Sequence, residues 1–224
     1  MDTLSEKQRL EETRKETKLL FKDDYTGHDV DHSFRVFENA KKLRSYPYEK
    51  KPDGFIVSLA SLMHDWDDRK LFTRNYPYEH AIEFRKKRGV SAYGQNRIVS
   101  IISHVSYGER STDPLPLEAQ IVQDADRLDA IGAIGIARAF QFGGSHQRKL
   151  YDSEEVIHLH PSKEEYRNNT LSTIAHFYQK LLQIKEKRNT EAGKKEAEKR
   201  EAFRLSFLKE FQEEINAPLY KKLY

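Results

Sequence analysis

An all-α fold is what this sequence of 224 residues predicts. Alternating apolar runs of strand length are scarce, segments with 3.6-residue apolar spacing follow one another from end to end, and Gly/Pro punctuation falls between segments of helix length. The length suits one domain, residues 1–224, able to bury a full core without disulfides. Within it we expect a core of about 25–130 and a helical C-terminal extension of about 131–224.

The first helix is expected from about Leu4 to Phe21, its inner face sparse: Leu10, Thr17, Leu20 and Phe21. A second starts near His28-Asp29, where Asp29 can cap it, and places His32, Val36, Ala40 and Leu43 on one face. After a turn at Lys51-Pro52-Asp53-Gly54 comes Phe55, Ile56, Val57, Leu59, Ala60, Leu62 and Met63, apolar on nearly every side. That pattern marks a buried helix, and it ends in His64-Asp65. Further helices are expected over Tyr78–Arg88, stopping at Gly89, and Ser91–His104, followed by a proline-containing loop, Gly108–Pro116. Leu117–Ala125 leads into the small-residue run Gly132-Ala133-Ile134-Gly135, which suits close helix packing. Phe142–Pro161, with Gly143-Gly144, His146, His158 and His160, reads as a long irregular segment of the kind that covers sites. Ser162–Leu182 reads as helical, with His176 and Lys180 one turn apart. Lys185–Arg204 is dominated by charge, and Phe203, Leu205, Phe207, Leu208 and Phe211 dock the last helix.

With no cysteine, disulfide and thiolate chemistry are excluded, and any metal must be held by His, Asp or Glu. The net charge of +3 is the small difference between 39 basic and 36 acidic residues, so no large cationic face for nucleic acid is expected. No apolar run approaches the ~20 residues of a membrane span, and the N-terminal stretch is charged rather than signal-like. A cytoplasmic protein follows as the expectation.

Chemistry concentrates where buried helices carry ionisable groups. A carboxylate and an imidazole at the end of an apolar helix are costly to bury unless neutralised, and a bound cation does this well. A simple His-Asp pair would satisfy the same cost at His64-Asp65. His32, on an inner helix face, and Asp126, which follows the apolar Ile121-Val122, turn the pair into a possible quartet. Two imidazoles and two carboxylates make a mixed nitrogen and oxygen site for one divalent ion, favouring manganese, iron, cobalt or zinc over magnesium. A lone Gly132-Ala133-Ile134-Gly135 run, with no strand before it and no GxGxxG spacing, does not make a phosphate loop.

The order His32, then His64-Asp65, then Asp126, with Gly27-His28-Asp29-Val30-Asp31-His32-Ser33-Phe34-Arg35-Val36 around the first histidine, resembles the HD-domain metal-dependent phosphohydrolases. Asp124-Ala125-Asp126-Arg127-Leu128-Asp129-Ala130-Ile131-Gly132 and His176-Phe177-Tyr178-Gln179-Lys180-Leu181-Leu182 are similar to a bacterial subgroup that includes nucleoside triphosphate pyrophosphohydrolases. The resemblance implies one metal ion on His32, His64, Asp65 and Asp126, manganese first, with Fe, Co, Zn, Ni or Mg as alternatives. It implies a nucleotide substrate, cleaved to the monophosphate and pyrophosphate by attack of metal-bound water. A 5′-nucleotidase or other phosphomonoesterase, or a non-catalytic nucleotide- or metal-binding module, are the alternatives. A monomer or homodimer without nucleic-acid or membrane partners is the expectation. Asp68, three residues after Asp65, matches the position where several superfamily members carry an acid that assists the water or the leaving group; a solvated helix-exit carboxylate is the competing account. Arg35, Arg69, Lys70 and Arg127 adjoin site elements and suit phosphate oxygens, or else pair with neighbouring carboxylates. His104, like His28, either faces the same cleft or is a structural histidine. Arg188 stands where the subgroup leads us to expect an apolar residue.

Overall fold

The computed structural model describes residues 4–24, 29–68, 72–73, 75–105, 114–158, 171–179, 181–182 and 188–216, with backbone only at 92–93. Among them the fold is all-α, with no β-strand. The helices are α1 (Glu6–Leu20), α2 (Val30–Leu43), α3 (Gly54–Met63), α4 (Glu79–Lys87), α5 (Ala92–Val105), α6 (Leu117–Asp129), α7 (Gly132–Ser145), α8 (Thr173–Gln179) and α9 (Glu191–Glu214). The chain divides into two compact units, Met1–Asp126 and Arg127–Tyr224.

In the first unit α3 is the central element, packed against α1, α2 and α5. Its buried residues run from Ile56 through Met63 without a gap, as expected of a helix apolar on all sides. Burial on this scale stabilises by roughly 25 cal/mol for each Å² of apolar surface removed from water. The start of α3 is fixed by Asp53, whose Oδ1 accepts the Phe55 and Ile56 N–H groups at 3.1 Å. Arg97 of α5 then bridges Asp53 and Glu118 of α6 at 2.9 Å each. At the head of α2, Asp29 accepts the His32 N–H at 2.7 Å, so the helix start expected there is built by the cap the sequence offers. Asn39 Nδ2 donates to the Ala125 carbonyl at 3.3 Å, and Gln123 Nε2 to the His104 carbonyl at 2.7 Å. These two bonds tie α6 to α2 and α5 and bring Asp126 alongside the first histidine.

In the second unit α7 packs against α8 and α9. The irregular segment expected from Phe142 starts later, because α7 continues to Ser145. The glycine pair does not break this helix. Gly143 is needed inside it, because a Cβ there would collide with Thr173 of α8. Of the helix expected over 162–182, Thr173–Gln179 is α-helical, 171–172 are irregular and 181–182 form a 3-10 turn, while residues 159–170 and 180 lie outside the described residues. Arg188, unexpected for its charge, is buried, and its guanidinium donates to the Arg127 carbonyl at 3.0 Å.

Candidate metal centre

His32 Nε2 and His64 Nε2 approach to 3.2 Å, with the rings edge-on at 68°. Asp65 Oδ2 lies 3.4 Å from His32 Nε2 and 3.3 Å from His64 Nε2. Asp126 Oδ1 lies 3.5 and 3.8 Å from the same two nitrogens. His32, His64 and Asp126 each offer a ligand atom within 4.8 Å of the others, the one such group of three or more metal-capable side chains among the described residues. Both imidazoles are buried, while the Asp65 and Asp126 side chains keep 14% and 31% of their exposure. The nitrogen atoms are therefore the buried part of the group, and the carboxylates the more exposed part.

Each side chain is delivered by a different helix end or face. His32 sits one turn into α2, its backbone held by Asp29. His64 follows the last residue of α3, and its Nδ1–H donates to the Ser61 carbonyl at 2.8 Å. In the neutral ring that bond leaves Nε2 as the lone-pair nitrogen facing His32, the tautomer a metal ligand needs. Two ring nitrogens 3.2 Å apart, framed by two carboxylates, call for a positive charge between them. Burial opposes protonation of His64, but the charges of Asp65 and Asp126 and the bonds to Asp65 and Ser61 outweigh it and raise its pKa to about 9. A proton answers the demand for charge only in part. The donor set of imidazole nitrogens and carboxylate oxygens fits one divalent ion.

The other candidate residues do not all join this group. Asp68 is half-buried at the exit of the turn, its N–H bonded to the Asp65 carbonyl at 3.1 Å. Arg35 is half-buried on α2 one turn beyond His32. Arg69, Lys70, His28 and Lys180 lie outside the described residues. The His104 ring is bonded on its own helix, to the Ser100 carbonyl at 2.5 Å and the Ser103 hydroxyl at 3.2 Å. Arg127 is half-buried, and His176 is half-buried on α8.

Two neighbours of the His-Asp pair have roles in the structure beyond what the sequence reading gives them. Trp66 is fully buried and donates Nε1–H to Thr17 Oγ1 at 3.2 Å. Asp67, which reads as an unremarkable surface acid, is buried and accepts from the backbone of α4. The burial of Trp66 was readable from its size and apolarity. The partners of Asp67 were not, since they lie thirteen and fourteen residues ahead.

Residues 29–131 match the HD domain. Bacillus subtilis YpgQ is 35% identical over 221 residues, 95% of this chain and 96% of its own. The chain belongs to the HD-domain superfamily. The HD family is one of metal-dependent hydrolases, and the domain implies divalent-metal binding. Solved relatives agree over nearly the full length. A Lactobacillus plantarum protein shares 33% identity at a TM-score of 0.78, over 96% of this chain and 100% of that one. An HD-superfamily hydrolase from Bacillus thuringiensis shares 31% at 0.72, over 96% and 100%. YpgQ has been solved in complex with ADP, at 31% identity and a TM-score of 0.73 over 92% of this chain and 97% of that one.

Proposed function

We propose that the chain is a divalent-metal-dependent phosphohydrolase acting on nucleotides, cleaving a nucleoside triphosphate to the monophosphate and pyrophosphate. The observation that carries the reading is the convergence of two buried Nε2 atoms with the carboxylates of Asp65 and Asp126. The ADP complex of YpgQ supports a nucleotide as the ligand class.

In this reading His32, His64, Asp65 and Asp126 hold one ion, manganese first. When bound, such an ion polarises a phosphoryl oxygen and lowers the pKa of a water from about 15.7 towards neutrality. The protein's own share is positional. The Ser61 carbonyl locks the His64 tautomer, and Asp29 and Asn39 set the faces of α2 and α6 that meet. Asp68 is assigned proton transfer to or from the attacking water or the leaving oxygen, a role its place at the exit of the turn supports. Arg35, Arg69, Lys70, Arg127 and His104 are assigned to the phosphates, Arg35 with the support of its one-turn spacing from His32.

Product analysis with Mn2+ and the common nucleoside triphosphates tests this. Pyrophosphate with monophosphate is the expected result. Orthophosphate from monophosphates would replace it with a nucleotidase, and no turnover under any divalent metal would leave a binding module.

A further inference from the structure

The segment that carries Asp65 is gripped on both sides by residues without a part in ligation. Trp66 is anchored to α1 through Thr17 and lies edge-on to Phe84 of α4, ring centroids 5.1 Å apart. Asp67 reaches the opposite way. Its Oδ1 accepts the His80 backbone N–H at 3.0 Å and the His80 ring Nδ1–H at 3.1 Å, and its Oδ2 accepts the Ala81 N–H at 3.1 Å. These are the donors that a helix start leaves without intrahelical partners. α4 cannot serve them itself, because Tyr78, at its N-cap, has φ of 60° and gives no side-chain cap. The Asp67 side chain keeps only 3% of its exposure. The buried Arg85 guanidinium feels its charge while donating to the Ala81 and Gln95 carbonyls.

A buried carboxylate shared between a catalytic turn and a helix start couples the two rigidly, since withdrawing it leaves several polar groups unsatisfied at once. We infer that Asp67 is a positioning residue: by capping α4 it fixes the backbone of residues 65–68, and with it the aim of Asp65 at the two imidazoles and the placement of Asp68. This rests on the metal-site reading above. Asp67 itself neither ligates nor transfers a proton.

Trp66 is the chain's single tryptophan, so its fluorescence reports directly on this segment. In metal-free protein, Asp67→Asn is expected to raise acrylamide quenching of Trp66 by about twofold or more while far-UV circular dichroism stays unchanged. Calorimetric Mn2+ titration should show affinity weakened by roughly 10- to 100-fold, the usual range for groups that orient ligands. The turnover number should fall with KM moving less than about threefold. Asp67→Glu, which keeps the carboxylate and both acceptor oxygens, should lie between, and it stands in if the asparagine variant does not fold. Glu79→Ala loosens the approach to α4 at Asn75 without touching Asp67, and should leave Mn2+ affinity unchanged. Wild-type Mn2+ affinity in a folded Asp67→Asn protein would overturn the inference. If wild-type protein takes up no manganese, the metal reading fails separately, and unchanged Trp66 quenching in the variant then overturns the positioning role by itself.

Discussion

Two helices end in aspartate-rich turns, and they are finished in opposite ways. Beyond α3, His64-Asp65-Trp66-Asp67-Asp68 is tied down by side chains. The His64 ring bonds the Ser61 carbonyl, Trp66 bonds Thr17, and Asp67 caps α4. The end of α6 is instead tied down at its carbonyls. Guanidiniums of Arg188, Arg200 and Arg138 donate to the carbonyls of Arg127, Leu128 and Asp129 at 3.0, 2.7 and 3.4 Å, and Arg138 also pairs with the Asp129 carboxylate at 2.8 Å. Cations belong at a helix C-terminus, where the macrodipole is negative. At the first end the anchoring leaves Asp65 to face the two imidazoles. At the second, Asp129 is consumed by its ion pair, and only Asp126, one turn earlier, joins the cluster.

The contrast is broken most sharply at Asp65. Asp65→Ala removes one of the four proposed ligands and leaves two buried imidazoles beside a single carboxylate, and the expected outcome is loss of stoichiometric Mn2+ binding with activity at background. Calorimetry and nucleotide turnover measured side by side check it. Full activity would move the chemistry elsewhere. Asp129→Asn, the matching change at the other end, should leave Mn2+ binding intact and show itself only in a lowered melting temperature.

Asp68 comes next. Asp68→Asn keeps size and polarity but removes basicity, so a proton-transfer role predicts a turnover number about 100-fold lower or more, with metal still bound and KM changed far less. A solvated helix-exit carboxylate predicts a change under about threefold. Steady-state kinetics at saturating Mn2+ separate the two.

A smaller effect is expected at Thr17. Thr17→Val keeps the shape of the side chain but leaves the buried Trp66 Nε1–H without its acceptor, costing about 1–3 kcal/mol. Thermal unfolding measures the loss, and a red shift of Trp66 emission would show that it is felt at the turn.

The α3 core and the inward face of α2 were legible because their signals are local, whereas the quartet of His32, His64, Asp65 and Asp126 was expected from the order of motifs far apart in the chain. Apolarity over Ile56–Met63, interrupted only by the small Ser58 and Ser61, marks burial, and a histidine on the Val36–Ala40–Leu43 face of α2 points inward by helical periodicity. What escaped depends on partners far along the chain. Asp67 looks like any acid until the start of α4 arrives beside it. Arg188 looks misplaced until the Arg127 carbonyl is seen to need a donor. Gly143 reads as a helix breaker for the same kind of reason: only the position of Thr173 explains why no side chain fits there.

The gentlest test addresses the carbonyl-capped end. Arg200 has two functions in its unit. Its Nη1–H reaches the Leu128 carbonyl, and its Cβ and Cγ lie 3.2 Å from where a Cβ of Gly132 would stand. Gly132 has φ of 72°, a conformation that glycine adopts without strain. Arg200→Met keeps an aliphatic stem over Gly132 and removes the guanidinium, and with it both the cap and the partly exposed ion pair that its Nε–H makes with Glu196 at 2.8 Å, a pair of small worth. The Leu128 carbonyl then loses a charged donor, and the expected cost is about 1–2 kcal/mol of stability, seen as a lowered urea midpoint with an unchanged slope. Mn2+ affinity should stay at the wild-type value, because the hydrogen bonds that set Asp126 beside His32 come from Asn39 and from α6 itself. A fall in Mn2+ affinity matching the loss of stability would show that the arginine-capped end sets the aim of Asp126 as well, and would erase the distinction between the two helix ends.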